Sequence, residues 1–215
     1  MTSGPRRPPA GDGLFIVGLV GLPGSGKTTV ARALEQDGAR VLEADAIGHQ
    51  VTDGDATVRA ALAAEYGAEV YRADGLDRAR VAAAVFRDPA ARARLNRLVH
   101  PRIVERLHEG LEALRRTGFA GLVVVDAALL LDWGFERECD AVIAVDAPLE
   151  ARIERLREQR GWSRDEAERR AAAQRSTDAL RAAADVTLDN DAGPADLERR
   201  ARESVRRLRE AATTH

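Results

Sequence analysis

Between Val20 and Thr29 the chain reads Val-Gly-Leu-Pro-Gly-Ser-Gly-Lys-Thr-Thr, and the spacing Gly21-x4-Gly26-Lys27-Thr28 within it constrains the fold more than any other stretch. This is the pattern of a phosphate-binding loop, which requires a buried strand ahead of it and a helix behind it. Both are foreshadowed. Leu14 to Val20 is an unbroken apolar run suited to a buried strand, and Thr28 to Gln36 is built from helix-forming residues. Glycines at 21, 24 and 26 let the backbone turn its N–H groups inward, and the helix N-terminus adds partial positive charge. The stretch makes Gly24, Ser25, Gly26, Lys27, Thr28 and Thr29 the candidate phosphate-binding residues, with the Thr28 hydroxyl a ligand for Mg²⁺. A glycine-rich turn with no ligand, the bland alternative, makes no demand for that strand and helix.

Lys27 is the single lysine of the chain, every other basic residue apart from histidine being arginine. A general preference for arginine accounts for the rest of the sequence. The exception falls where a compact ammonium, and not a planar guanidinium, can approach a phosphate through a narrow glycine loop.

The chain of 215 residues, 45% hydrophobic, suits one α/β domain with small insertions and does not suggest two large independent domains. With 33 basic and 35 acidic residues interspersed and a net charge of −2, it lacks the footprint of a general nucleic-acid or membrane binder. One cysteine, Cys139, allows no intrachain disulfide, and no secretory segment or membrane span is recognisable, so the cytoplasm is the expected compartment. Residues 1 to 13, rich in Pro and Gly, read as a flexible tail.

Past the first helix, Asp37-Gly38 punctuates and Ala39 to Glu43 reads as a short second strand, which puts Asp45 at a strand's carboxyl end. In open α/β sheets ligands bind outside those ends, so Asp45 is expected to share a crevice with the loop. From 53 to 118 Ala, Arg and Leu dominate, and the segment reads as a helical insertion whose last helix begins near His100-Pro101 and carries Ile103, Leu107, Leu111 and Leu114. Gly121 to Asp126 and Ala141 to Asp146 are buried-strand signals, and strands alternating with helices imply a parallel sheet. Pro148 opens a helix with Leu149, Ile153 and Leu156, Gly161 breaks it, and Ser163-Arg164-Asp165-Glu166 fits a capping box. This is an Arg-rich helical hairpin. Asp185 to Leu188 is a weak strand, and Leu197, Ala201, Val205 and Leu208 stripe a closing helix.

In order and spacing, the pieces Val17 to Thr29, Val41 to Asp45, Leu76-Asp-Arg78, Val85-Phe86, His100-Pro101, Ala127 to Asp132, Gln174-Arg175 and Leu188-Asp-Asn190 resemble the dephospho-coenzyme A kinase family. The resemblance runs from about Val17 to about Leu197. It implies ATP-dependent phosphorylation of the ribose 3′-hydroxyl of dephospho-CoA, with Mg²⁺, as the last step of CoA synthesis. It also implies a P-loop kinase-like three-layer α/β sandwich with a parallel sheet, a helical acceptor-binding insertion and a small helical lid. In this sequence the core covers 14–52, 119–148 and 182–212, the insertion 53–118 and the lid 149–181. Two places depart from the family pattern: Glu43 stands where an aspartate is usual, and Ala128 to Asp132 reads Ala-Leu-Leu-Leu-Asp in place of Pro-Leu-Leu-Phe-Glu.

By the resemblance, Asp45 is the general base and Lys27 its catalytic companion, while Arg78 and His100 are acceptor contacts. The bland reading of Asp45 is a helix cap, and that of His100 a helix-entry residue before Pro101. Asp126 is either an acid helping to hold Mg²⁺ or a strand-terminal cap. Lid arginines have a physical case of their own, because phosphoryl transfer is catalysed largely by positioning and by cations around the equatorial oxygens. Arg155, Arg157 and Arg160 compete for the family's two places, with Arg155 and Arg160 taken as the ATP contacts. Trp133, Trp162 and Cys139 are expected to pack.

Two other classes fare worse. A GTP-dependent switch needs the Asn-Lys-x-Asp motif and hence a second lysine, and an ATPase of the usual type follows its strand acid with glutamate where this chain has Ala127. The runner-up within kinases is a nucleoside monophosphate or another small alcohol as acceptor. The expected partners are ATP and dephospho-CoA, with the protein a monomer or weak homo-oligomer.

Overall fold

The computed structural model describes residues 13–161, 163–166, 168 and 177–213, with the backbone alone at 86, 87, 159 and 160. Trp162 and the Gln174-Arg175 pair lie outside the described residues, as does nearly all of the N-terminal stretch.

The apolar runs become strands. β1 (Leu14–Gly21) is buried at every position, and β2 (Arg40–Glu43), β5 (Gly121–Asp126), β6 (Ala141–Asp146) and β7 (Val186–Asp189) complete a five-stranded sheet in the order β2-β5-β1-β6-β7. β1 runs parallel to β5, with Leu19 opposite Asp126, and parallel to β6, with Gly21 opposite Val145; β6 and β7 are also parallel. A central strand buried on both faces has to be apolar throughout, as β1 is.

Alternation along β1 sorts its side chains between two layers. Phe15, Val17 and Leu19 join Val30 and Leu34 of α1 (Lys27–Gln36) and Leu197, Ala201 and Val205 of the closing helix in one core cluster. On the other face, a Cβ at Gly18 would lie 2.9 Å from Leu130 Cδ1 and 3.1 Å from Cys139 Sγ, so this glycine leaves room for the segment after β5 to pack against the sheet. Cys139 is fully buried there and fills core. The closing helix is α8 (Pro194–Thr213).

The described chain divides into two compact units. One comprises the described residues up to Leu42 and those from Leu114 onward, and the other is Glu43–Ala113. The second holds α2 (Ala44–Gly54), α3 (Ala56–Tyr66), a two-stranded ribbon of β3 (Tyr71–Arg72) and β4 (Gly75–Leu76), α4 (Arg78–Arg87) and most of α5 (Pro89–Arg116). Its core is Val51, Val58, Leu62, Val70, Leu76, Val81, Val99, Ile103 and Leu107.

Two features here differ from the sequence reading. The helix expected to begin near His100-Pro101 instead starts at Pro89 and runs through Pro101. Pro101 forfeits one backbone hydrogen bond, but Ala91 and Val99 before it and Ile103, Leu107 and Leu111 after it are all buried, and that stripe keeps the helix going. The ribbon was not foreseen. It turns at Ala73-Asp74, and the Leu76 N–H donates to Asp53 Oδ1 at 2.9 Å.

In the first unit β6 is followed by α6 (Leu149–Arg160), which ends at Gly161 with φ 65°, then by α7 (Thr177–Ala183), β7 and α8. The Glu166 N–H donates to Ser163 Oγ at 3.2 Å, the first half of the anticipated capping box. Among the described residues no helix is long and apolar enough to cross a membrane.

Candidate active site

The phosphate loop leaves β1 at Gly21 and enters α1 at Lys27. Its first half is a tight turn in which the Ser25 N–H donates to the Leu22 carbonyl at 3.0 Å. Pro23 at the second position and Gly24, φ 79°, at the third are what a type II turn requires. Gly26, φ 109°, is the N-cap of α1, and no side chain caps that end. The first-turn amides of Lys27 and Thr28 therefore have no intrahelical carbonyl, which is the condition under which a helix N-terminus takes an anion.

Lys27 Nζ lies 3.1 Å from Asp126 Oδ1, at the end of β5. The loop cation and the strand acid, chosen separately from sequence, are thus brought together. Ser25 sits differently from its neighbours: its side chain is 1% exposed, and its hydroxyl has no hydrogen-bond partner among the described residues. The hydroxyl lies 2.7 Å from where a Gly21 Cβ would stand, beneath the loop.

Three side chains reach the loop from elsewhere in the same unit. Arg152 Nε donates to the Pro23 carbonyl at 3.2 Å, Arg155 Nη1 to the Gly24 carbonyl at 3.0 Å, and Asn190 Nδ2 to the Ser25 carbonyl at 2.8 Å. Arg152 is 4% exposed and Asn190 5%. Burial pushes the Arg152 guanidinium's pKa down and the Asp146 carboxylate opposes that shift, and the group stays cationic. Arg181 of α7 bridges Asp146, at the end of β6, and Asp189, at the end of β7. Of the two arginines taken as ATP contacts, Arg155 touches the loop, and the Arg160 side chain lies outside the described residues.

The sequence reading missed Arg152, and it passed over Asn190 except as part of a motif. The available signal was spacing. Arg152 and Arg155, three apart on α6, share a face with each other and not with Arg157.

The remaining candidates belong to the second unit. Asp45 lies in the first turn of α2, directly after β2, and is exposed. The N-cap of that helix is Glu43, without a side-chain cap bond, and among the described residues no hydrogen bond or ion pair engages the Asp45 carboxylate. Arg78 opens α4 and is tethered: Nη2 lies 2.6 Å from Asp53 Oδ2, and 3.3 Å from both Thr52 Oγ1 and the His49 carbonyl. At Asp53, burial raises the carboxyl pKa, but the Leu76 N–H and the Arg78 guanidinium outweigh it and hold the group below the usual carboxylate range. His100 is half-buried in the middle of α5, beside Val99 and Pro101.

Thr28 and Asp126 supply a hydroxyl and a carboxylate, hard oxygen donors of the kind Mg²⁺ takes alongside phosphate oxygens and water. Among the described residues no cluster of three His, Cys, Asp or Glu side chains could hold a metal by protein ligands alone. The donor set fits an ion carried in with a nucleotide.

Comparison with known proteins adds a family. The dephospho-CoA kinase family model matches residues 15–196. A dephospho-CoA kinase of Thermobifida fusca is 40% identical over 191 residues, covering 88% of this chain and 94% of that one. One from Deinococcus radiodurans is 44% identical over 178 residues, with 83% and 84% covered. Among solved structures, TT1252 from Thermus thermophilus matches with a TM-score of 0.75 and 33% identity, over 90% of this chain and 97% of that one.

Proposed function

The chain belongs to the dephospho-CoA kinase family, and from that premise we propose that it transfers the γ-phosphoryl group of ATP to the ribose 3′-hydroxyl of dephospho-CoA, giving CoA and ADP. The observation that carries this for the chain's own residues is the loop that seats its one lysine 3.1 Å from Asp126 at the mouth of a helix N-terminus.

In this reading the amides of Gly24, Gly26, Lys27 and Thr28 receive the phosphates, while the Thr29 N–H is taken by the Gly26 carbonyl at 3.0 Å; Ser25 supports the loop from beneath, and the Lys27 ammonium neutralises charge on the outer phosphates. Thr28 and Asp126 would hold Mg²⁺, which supplies charge neutralisation when bound. Arg155, with Arg160, adds cations around the equatorial oxygens. Arg78 and His100 bind the acceptor. The acceptor oxygen forms its bond to Pγ as the bond from Pγ to the β–γ bridging oxygen breaks, and Asp45 takes the hydroxyl proton. We assign the work to the cytoplasm, a reading supported by the single buried cysteine.

A coupled assay of ADP formation tests the acceptor. With MgATP, turnover should be far faster with dephospho-CoA than with AMP, CMP or water. Equal or faster turnover with a nucleoside monophosphate would overturn the assignment.

A further inference from the structure

Pro23, Gly24 and Ser25 are consecutive, and all three of their carbonyls accept hydrogen bonds from side chains that begin on other elements. Two of the three donors, Arg152 and Asn190, are among the few buried polar side chains of the first unit. Burying such groups is costly unless they are engaged, and here what they engage is loop backbone.

No peptide bond among the described residues is cis. In a trans peptide the C=O and the next residue's N–H lie in one plane and point in opposite directions. Drawing the Ser25 carbonyl to Asn190 turns the Gly26 N–H the other way, and drawing the Pro23 carbonyl to Arg152 does the same for the Gly24 N–H. A loop rich in glycine has little intrinsic preference for this orientation, since Gly24 and Gly26 lower the barrier to alternative backbone angles. A flipped peptide would present a carbonyl dipole to a phosphate instead of an N–H.

We propose that Arg152 and Asn190 are positioning residues of the phosphate loop, each fastening a loop carbonyl so that the amide of the same peptide faces the bound phosphates. The proposal rests on the reading of this loop as the ATP site. Asn190 is itself held firmly, because its own N–H donates to the Asp146 carbonyl at 2.7 Å, and Arg200 Nη1 donates to the neighbouring Asp189 carbonyl at 2.7 Å. The closeness of fit also explains Gly26, where any Cβ would overlap Asn190 Nδ2.

The test is calorimetric titration with ATP, with inorganic tripolyphosphate as a probe of the loop alone, and with dephospho-CoA. The proteins are wild type, Asn190→Leu, Asn190→Ala, Arg152→Met and Arg152→Gln. Asn190→Leu keeps the branched shape and removes the donor, while Gln at 152 places its amide nitrogen where the arginine Nε stands. Asn190→Leu and Arg152→Met should weaken ATP and tripolyphosphate alike, by roughly three- to tenfold, the worth of one hydrogen bond. Dephospho-CoA affinity should be unchanged, and Arg152→Gln should bind the phosphates as wild type does. Should Asn190→Leu fail to fold, Asn190→Ala, which removes the donor and adds no charge, reads the same loss. Unchanged phosphate affinity in Asn190→Leu and Arg152→Met overturns the proposal. So does an Arg152→Gln as weak as Arg152→Met, or an equal loss of dephospho-CoA binding, which would mark a general structural defect. Wild type binding neither phosphate ligand would remove the ATP-site reading and this inference with it, an outcome distinct from a difference among variants.

Discussion

Lys27 Nζ and Asp126 Oδ1 stand 3.1 Å apart with their side chains 17% and 15% exposed, so the loop's ammonium is already partnered before any nucleotide arrives. The stem of Lys27 runs close beneath the loop, its Cγ only 3.0 Å from where a Gly21 Cβ would be. A guanidinium is wider than an ammonium and planar, and the approach between Gly21 and Asp126 is narrow. We therefore expect Lys27→Arg to lose nearly as much turnover as Lys27→Ala, roughly 10²- to 10³-fold in kcat. Both variants should remain folded in thermal melts. Near wild-type turnover in Lys27→Arg would show that charge alone is what the loop requires.

Gly24 gives a second prediction because its backbone and its surroundings exclude a side chain independently. Its φ is 79°, and a Cβ there would lie 2.7 Å from the Arg152 carbonyl oxygen and 3.1 Å from the Arg152 Cα. Those neighbours are backbone and cannot rotate away. Gly24→Ala should lower the unfolding free energy by about 1–3 kcal/mol, read from urea melts, and should raise KM for ATP by pushing α6 off the loop. A variant that melts and binds ATP as wild type does would mean that α6 is not seated on the loop as described.

What could be read from the sequence was whatever is written within a short stretch. The β1 run, the Gly-x4-Gly-Lys-Thr loop and the acid ending Gly121 to Asp126 each announce themselves locally, because a buried strand and a phosphate turn depend on adjacent residues. Pro101 misled for the same reason. Proline at a first turn is a valid local signal, and only the burial of Val99 and Ala91 on the same stripe as Ile103 shows that the helix had begun earlier. The side chains that shape the loop were out of reach altogether. Arg152 and Asn190 meet it across 129 and 165 positions, and no periodicity or motif encodes which of many arginines or asparagines will do so.

Arg78 yields a prediction about acceptor binding and one about pH. Asp53 holds it at 2.6 Å, so Asp53→Asn should free the guanidinium and raise KM for dephospho-CoA several-fold with little change in kcat. The Asp53 carboxyl is held below its ordinary value of 3.8, chiefly because the Leu76 N–H and Arg78 outweigh the burial that raises it. A depressed folded-state pKa contributes stability that is present above the unfolded value and is lost as pH falls through the folded value. The tether should therefore be intact at every pH above the ordinary carboxylate range. The ratio of KM for dephospho-CoA between Asp53→Asn and wild type should accordingly stay constant from neutral pH down to about 5. A ratio that falls toward one over that span would place the tether's titration too high for this account.

Asp45 carries the last prediction, as the proposed acceptor of the hydroxyl proton. A helix cap is the competing role, and the geometry disfavours it: the N-cap of α2 is Glu43, and the exposed Asp45 carboxylate accepts no hydrogen bond among the described residues. What remains of a structural role is a negative charge in the first turn of a helix, worth about 0.3–1 kcal/mol at most. Substitution by Asn keeps the shape, removes that charge and cannot take a proton. As a base, Asp45→Asn should keep its fold and its ATP affinity while losing roughly 10²- to 10⁴-fold in kcat, the usual worth of a positioned proton acceptor. Glu43→Gln is the control, two residues away and also exposed, and should stay within about tenfold of wild type. If Asp45→Asn retains turnover within about tenfold, or Glu43→Gln proves the more damaging, proton transfer to Asp45 is not what limits the reaction. Charge neutralisation by Lys27 and the arginines around the phosphates would then have to carry the catalysis.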